Sequence, residues 1–388
     1  MSEYYSINKH IIILGEEYWF VDQGYNNSSH INKYKNRDMF AAQYLLNYLE
    51  ENKNKNIEYT IIKNPNELLH TINMLGTENI KGIFLFQDVL SDAYLNNMSI
   101  LEMKKYLINL GNKGIYIYPT PDNIDIYASK KYNLLLNDNI PWAVLPRTKV
   151  YKIENYDVKY EDKIANDMWL LVNDLWKTFD TVVIKKGYSY EGKQVEYFNK
   201  KYIKNFNDFK DMISNLNYKN FWGVETSSIK LDKGSTRYYI LQGFNGVIDN
   251  YEYRVFFNNG KIVYIADDDI IANTCISDGM NDPLKKEVIN FAIKLYDEYI
   301  KLFWDQPRQP ILFRIDVSYA MDKVFQDKHS INVEGFDSKI RLYANELEID
   351  PTSFFYNDYD CTTDEFFSSR FYQETLGMYL TEYINSIL

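Results

Sequence analysis

Two short stretches near the C-terminal end constrain this chain most. Residues 311–317 (Ile-Leu-Phe-Arg-Ile-Asp-Val) and residues 340–351 (Ile-Arg-Leu-Tyr-Ala-Asn-Glu-Leu-Glu-Ile-Asp-Pro) are apolar runs interrupted by charge. Strand side chains alternate between faces, so Arg314 shares a face with Asp316, and Glu346 with Glu348. The flanking apolar residues predict two partly buried strands, the second stopped at Pro351. If the two pair, three carboxylates and one guanidinium converge. An all-oxygen set of this kind suits Mg²⁺, which takes a few carboxylates and completes its shell with water or phosphate. Without a cation the acids repel one another, so losing one is expected to cost little stability. The alternative is a pair of solvated strands with surface charges.

The first third of the chain alternates strand and helix signals. Residues 10–14, 57–62, 82–86 and 115–118 are short apolar runs of the kind buried in a parallel sheet. Between them lie helical spacings over 38–50, a short helix over 67–75 closed by Gly76, and a Ser99/Glu102 capping box leading a helix toward Gly111. The expected fold is a doubly wound α/β domain over residues 1–120. It has no G-x-G-x-x-G turn, which argues against a dinucleotide site. Ligands of such sheets sit beyond the carboxyl ends of the strands, here residues 15–19 and Gln87-Asp88; either could equally be loop surface.

After Pro119-Thr-Pro121 the spacing predicts one helix over 124–136, carrying Lys130 and Lys131. A further helix is expected over 164–177. Thr181-Val-Val-Ile-Lys185 then reads as an apolar strand ending in Lys185, followed by Gly187 and Gly192. The run Gly187-x-x-x-x-Gly192-Lys193 superficially fits a phosphate-binding P-loop. Gln194 stands where that loop needs Ser or Thr, and residues 194–198 look like strand instead of helix, so a hairpin with a glycine loop is the better reading. A lysine ending a buried strand is costly without an anion. Residues 205–215 read as a helix, and 238–245 as a strand ending in a polar turn at Gln242-Gly243-Phe244-Asn245. Residues 251–257 alternate, with Glu252 and Arg254 on one face, and Asn259-Gly260 turns the chain into 261–265 as a hairpin. That acid and base could also be a surface ion pair. Residues 284–303 form the longest amphipathic helix, and 364–388 close the chain as an aromatic-rich helix packing back on the fold or on a second copy in a homodimer.

Arg314-x-Asp316 followed by Glu346-x-Glu348-x-x-Pro351 resembles the metal-binding end of the ATP-grasp superfamily, whose usual pattern is R-x-D and then E-x-N-x-x-P. Glu348 departs from it, standing where Asn is commoner. The preceding motifs occur in the matching order: basic helix, lysine strand with glycine loop, Gln hinge and E-x-R strand. The resemblance spans about residues 115–360. It implies a two-lobed ATP-grasp fold with antiparallel sheets behind the N-terminal α/β domain. The central lobe would span 121–246 and the C-terminal lobe 247–388. It implies that Lys185, and Lys131 as the better match on the basic helix, meet nucleotide phosphates beneath a loop from Gly187 to Gly192. Gln242, Gly243, Phe244 and Asn245 would read the adenine edge, and Glu252 the ribose. Asp316, Glu346 and Glu348 would hold Mg²⁺, with Mn²⁺ as a substitute. Arg254 and Arg314 would stabilise the transferring phosphoryl group. The implied chemistry is ATP-dependent ligation, in which a substrate carboxylate becomes an acylphosphate and is joined to an amine of an amino acid, peptide or protein. A small-molecule kinase and a silent nucleotide-binding protein are the alternatives.

Composition narrows the partners. The 388 residues carry a net charge of −11, with lysines scattered among acids, so no nucleic-acid stripe is apparent. Two cysteines, Cys275 and Cys361, are too few and too far apart for a disulfide framework or a zinc site. No apolar run approaches membrane-spanning length and no signal peptide is evident, so a cytoplasmic setting is expected.

Overall fold

The computed structural model describes residues 9–15, 48–52, 56–62, 64–188, 195–218, 233–244, 252–267, 270–274, 282–306, 308–321, 328–349 and 377–387, with backbone alone over 263–274. Gly192, Asn245, Pro351, both cysteines, residues 16–19 and most of the helix expected over 38–50 lie outside the described residues.

The four apolar runs of the N-terminal third form a parallel sheet of β1 (Lys9–Leu14), β2 (Ile57–Ile62), β3 (Ile80–Leu85) and β4 (Tyr116–Tyr118), in the order β2-β1-β3-β4. Both faces are covered, as near-continuous apolar strands require. Ile12, Leu14, Ile83 and Leu85 pack on one side with Leu68 and Ile72 of the helix Glu67–Leu75 and with Met103 and Leu107 of the helix Ile100–Asn112. Gly76 ends the first of these helices at φ 77, a backbone angle that glycine adopts freely. The Ser99–Glu102 capping box opens the second. Ile11, Ile13 and Phe84 face the other way, toward Leu380, Tyr383 and Ile384 of the closing helix Met378–Ile387. That helix therefore packs back on the N-terminal sheet. Gly82 makes room for it, since a Cβ there would lie 2.8 Å from Ile387 Cδ1.

The second sheet is antiparallel. It contains β5 (Lys149–Ile153), β6 (Thr181–Lys186), β7 (Val195–Asn199) and β8 (Arg237–Phe244), in the order β5-β8-β6-β7. β6 and β7 are the hairpin that the glycine loop joins. Val182, Ile184, Tyr239 and Leu241 pack under the helices Glu161–Leu175 and Phe206–Tyr218. The opposite face carries Val183, Lys185 and Gln242.

The third sheet, also antiparallel, orders β9 (Glu252–Asn258), β10 (Lys261–Asp267), β11 (Ile270–Thr274), β12 (Leu312–Met321) and β13 (Ile340–Glu348) as β11-β10-β9-β12-β13. Its odd-numbered face, with Val255, Phe257, Phe313, Ile315 and Val317, buries the long helix Pro283–Phe303 through Val288, Ala292 and Leu295. Asp282 starts that helix by accepting from the backbone N–H groups of Leu284 and Lys285, with Pro283 at the first position.

One sequence expectation needs correction. The helix expected over 124–136 is two helices, Pro121–Ala128 and Tyr132–Asn139, with a turn at residues 129–131. Lys130 sits in the left-handed region at φ 58. Ser129 Oγ bonds back to the Asp125 carbonyl, ending the first helix. β5 and β11 were not anticipated. No helix among the described residues is long and apolar enough to cross a membrane.

Candidate active site

The even-numbered face of the third sheet changes character along its length. At one end Phe256 and Leu312 join the N-terminal core. Further along, β12 pairs Asp316 with Arg254 of β9 and with Glu346 of β13, and it pairs Arg314 with Glu348. Neighbouring strands lie about 4.8 Å apart, so these charges form one patch.

β13 contains a bulge at this point. Its register moves from Asp316↔Glu346 to Val317↔Ala344, which leaves Asn345 as the extra residue. The core records the same shift. Ile340, Leu342 and Ala344 before the bulge, and Leu347 and Ile349 after it, all face the long helix. Parity therefore flips between 344 and 347, and Asn345 joins Glu346 and Glu348 on the charged face. Simple alternation would have placed Asn345 on the face opposite Glu346. The only sequence signal for it is a polar residue where an apolar one belongs.

Two lysines reach this patch from outside the sheet. Lys185, at the end of β6, donates to Asn345 Oδ1, and Asn345 Nδ2 donates to Glu252. Lys130, from the turn between the two short helices, donates to Glu346 Oε1 at 2.6 Å. Arg314 forks onto Asp316 with two hydrogen bonds of 2.7 Å. Its Nη2 also lies 2.9 Å from Glu348 and 3.9 Å from Glu346. Arg254 Nε is 3.6 Å from Glu252. Four carboxylates thus meet four cations, of which Arg254 and Arg314 belong to the same sheet, Lys185 comes from the second sheet and Lys130 from the turn between the two short helices.

Protonation follows from this crowding. Burial pushes the Asp316 carboxyl well above the usual range; Arg314 opposes this, while Glu252, Glu348 and Glu346 add to it. Burial would raise Glu346 as well, but Lys130, Arg314 and Lys185 outweigh it and hold the group down at about 2. Burial lowers the Lys185 ammonium, and the nearby acids only partly offset it. Burial also works against Lys130, yet Glu346 prevails and lifts it above the usual lysine range.

These pairings correct two expectations. Lys130, not Lys131, carries the charge on the patch. The left-handed turn at Lys130 sends it to Glu346, whereas Lys131 stands at the N-terminal boundary of the following helix without a side-chain capping bond. The acids are also not left to repel one another, because the protein's own cations stand between them. Removing one acid therefore strands a partner, which is costly when that partner is buried.

The remaining candidates divide by role in the fold. Gly187 is where β6 passes the helix break: its N–H donates to the Tyr238 carbonyl at 3.0 Å, and a Cβ would sit 2.2 Å from the Ser129 carbonyl oxygen. Gly243 lets β8 pass Phe179, whose ring would lie 2.2 Å from an added Cβ. Phe244 ends β8. Gln242 is buried opposite Val183, on the face of Lys185. Its Oε1 has no hydrogen-bond partner among the described residues. Gln87 donates to Asp92 through Nε2 while its buried Oε1 has no hydrogen-bond partner among the described residues, and Asp88 accepts from the Leu90 and Ser91 backbone.

The donor chemistry of Asp316, Glu346 and Glu348 fits Mg²⁺, being oxygen alone. Among the described residues no group of three or more His, Cys, Asp or Glu side chains stands ready to hold a metal. Arg314 and Lys130 occupy the space between the acids, and a metal would replace those contacts. The orphaned Gln242 Oε1 on the same cleft fits a ligand bearing a hydrogen-bond donor.

No family model and no curated protein sequence matches the chain. Among solved structures it is similar to D-cycloserine synthetase DcsG, at 11% identity over 96% of this chain and 99% of that one, with a TM-score of 0.52. Weaker likenesses are to D-alanine–D-alanine ligase from Bacillus anthracis complexed with ATP (12% identity, 96% and 98% covered, TM-score 0.43) and to an ATP-grasp RimK domain protein from Sphaerobacter thermophilus (10% identity, 95% and 98% covered, TM-score 0.45).

Proposed function

We propose that this chain, whose fold is that of the ATP-grasp proteins, is an ATP-dependent ligase that joins a carboxylate to an amine. The observation that carries this reading is the apposition of Lys185 and Lys130 with Arg314, Asp316, Glu346 and Glu348 across the cleft. Phosphoryl transfer asks a protein mainly for positioning and charge neutralisation, and this cleft supplies both signs of charge.

On this reading Lys185 and Lys130 leave Asn345 and Glu346 for nucleotide phosphates. Asp316, Glu346 and Glu348 hold Mg²⁺ or Mn²⁺, which when bound offsets phosphate charge. The end of β8 at Gln242 meets the base, and Glu252 the ribose. A substrate carboxylate oxygen attacks the γ-phosphorus as its bond to ADP breaks. Arg254 and Arg314 stabilise the charge on the phosphoryl oxygens. The amine then attacks the acyl carbon, phosphate departs, and the amine gives up its proton. The substrates belong to the amino acids, peptides or proteins.

A screen of ADP release over amino acids and short peptides tests this. Release that needs both a carboxylate and an amine is the expected result. Release with a hydroxyl compound alone would make the protein a kinase, and no nucleotide binding at all would make it a silent member of the fold.

A further inference from the structure

The bulge in β13 puts a neutral amide in hydrogen-bond contact with both Lys185 and Glu252. Among the described residues the hydrogen bonds of the Lys185 ammonium go to Asn345 alone, although Glu346, Glu252 and Asp316 all act on its charge. Glu252 accepts from the same amide, and its nearest cation is Arg254 at 3.6 Å. The orientation of that amide is fixed by chemistry. An ammonium only donates and a carboxylate only accepts, so Oδ1 must face Lys185 and Nδ2 must face Glu252. On a regular strand Asn345 and Glu346 would point to opposite faces; the bulge lets both stand on the charged face. The extra residue therefore exists where its side chain is needed between two opposite charges.

We propose that Asn345 is a positioning residue whose bulged amide stands between Lys185 and Glu252 and keeps them from closing into a direct ion pair. The proposal rests on the functional reading above. It leaves the ammonium available to a nucleotide phosphate and the carboxylate available to a nucleotide hydroxyl. Lysine carries its charge on a flexible four-carbon stem, so an unrestrained Lys185 would settle on the neighbouring acid. A cleft closed in that way must open before nucleotide binds, and affinity falls by the fraction of molecules that are open. An amide does what neither charge nor a methyl group can. Asp at this position would hold Lys185 outright, and Ala would let it reach Glu252.

Calorimetric titration of ADP into the wild-type chain, Asn345→Ala, Glu252→Gln and the double variant tests this. Asn345→Ala should bind ADP about tenfold more weakly, and the KM for ATP should rise by more than kcat falls. In the Glu252→Gln background the same substitution should cost less than about twofold, because the competing acid is gone. Equal ADP affinity for wild type and Asn345→Ala overturns the proposal, as does a penalty undiminished by Glu252→Gln. If the wild-type chain binds no ADP, the functional reading fails separately. A crystal structure of Asn345→Ala without nucleotide then decides the spacer. Lys185 Nζ within about 4 Å of the Glu252 carboxylate upholds it, and an unmoved Lys185 overturns it.

Discussion

Glu346→Gln perturbs the cleft where its electrostatics can be followed most closely. The Glu346 carboxylate lies 2.6 Å from Lys130 and 3.9 Å from Arg314. Burial raises its pKa, but the cations outweigh burial and bring it from 4.5 to about 2. At roughly 1.4 kcal/mol per unit, that shift corresponds to about 3 kcal/mol. The side chain is 32% exposed, so water screens part of the interaction and about 2 kcal/mol remains. Lys130 is only 9% exposed and loses its partner, which adds to the cost. The variant is expected to be about 2–3 kcal/mol less stable than wild type near neutral pH in metal-free buffer. The folded pKa is depressed, so the unfolded chain binds the proton first as pH falls. The contribution is complete above the ordinary value of 4.5 and is lost as pH drops toward about 2. Urea unfolding followed by tryptophan fluorescence should therefore show the gap between the two proteins narrowing by about 1 kcal/mol between neutral pH and about pH 3.5. A gap under about 0.5 kcal/mol, or one that does not change with pH, would refute the pairing.

Three further outcomes follow from the same geometry. Lys185→Ala should weaken ATP binding by about 1.5–3 kcal/mol, the scale of a charge-assisted hydrogen bond; calorimetry showing unchanged affinity would remove Lys185 from the nucleotide site. Gly243→Ala drives a Cβ to 2.2 Å from the Phe179 ring, close to its root, and should cost about 1–3 kcal/mol in denaturant unfolding; a neutral effect would mean the strand and ring separate freely. Glu348→Asn removes a half-buried partner from Arg314, which keeps its fork on Asp316, so it should cost under about 1 kcal/mol of stability while weakening metal affinity, measured by Mg²⁺ titration.

The sequence made the frame legible because each layer leaves a local signature. Apolar runs with no polar face marked the parallel sheet, and the Ser99–Glu102 box marked one helix start to the residue. Alternation in 311–317 and 340–348 placed Arg314, Asp316, Glu346 and Glu348 on one face, as the strand pairing bears out. What stayed hidden depends on departures from periodicity. The left-handed Lys130 broke a helix that spacing alone made continuous, and thereby exchanged Lys131 for Lys130. The bulge at Asn345 shifted the alternation of the strand by one residue, so that an amide shares the charged face with Glu346. Such features are set by contacts distant in sequence, including the approach of Gly187 to Ser129. They cannot be read from either segment by itself.

The central claim is that a carboxylate oxygen attacks the γ-phosphate of ATP in this cleft. The most direct measurement takes the carboxylate and amine pair that supports ADP release and supplies the carboxylate with a heavy-oxygen label. The account predicts that one labelled oxygen appears in the released inorganic phosphate, because the carboxylate oxygen bonded to phosphorus leaves with it. Labelled oxygen retained entirely in the product, or phosphate retained on a hydroxyl of the substrate, would contradict it.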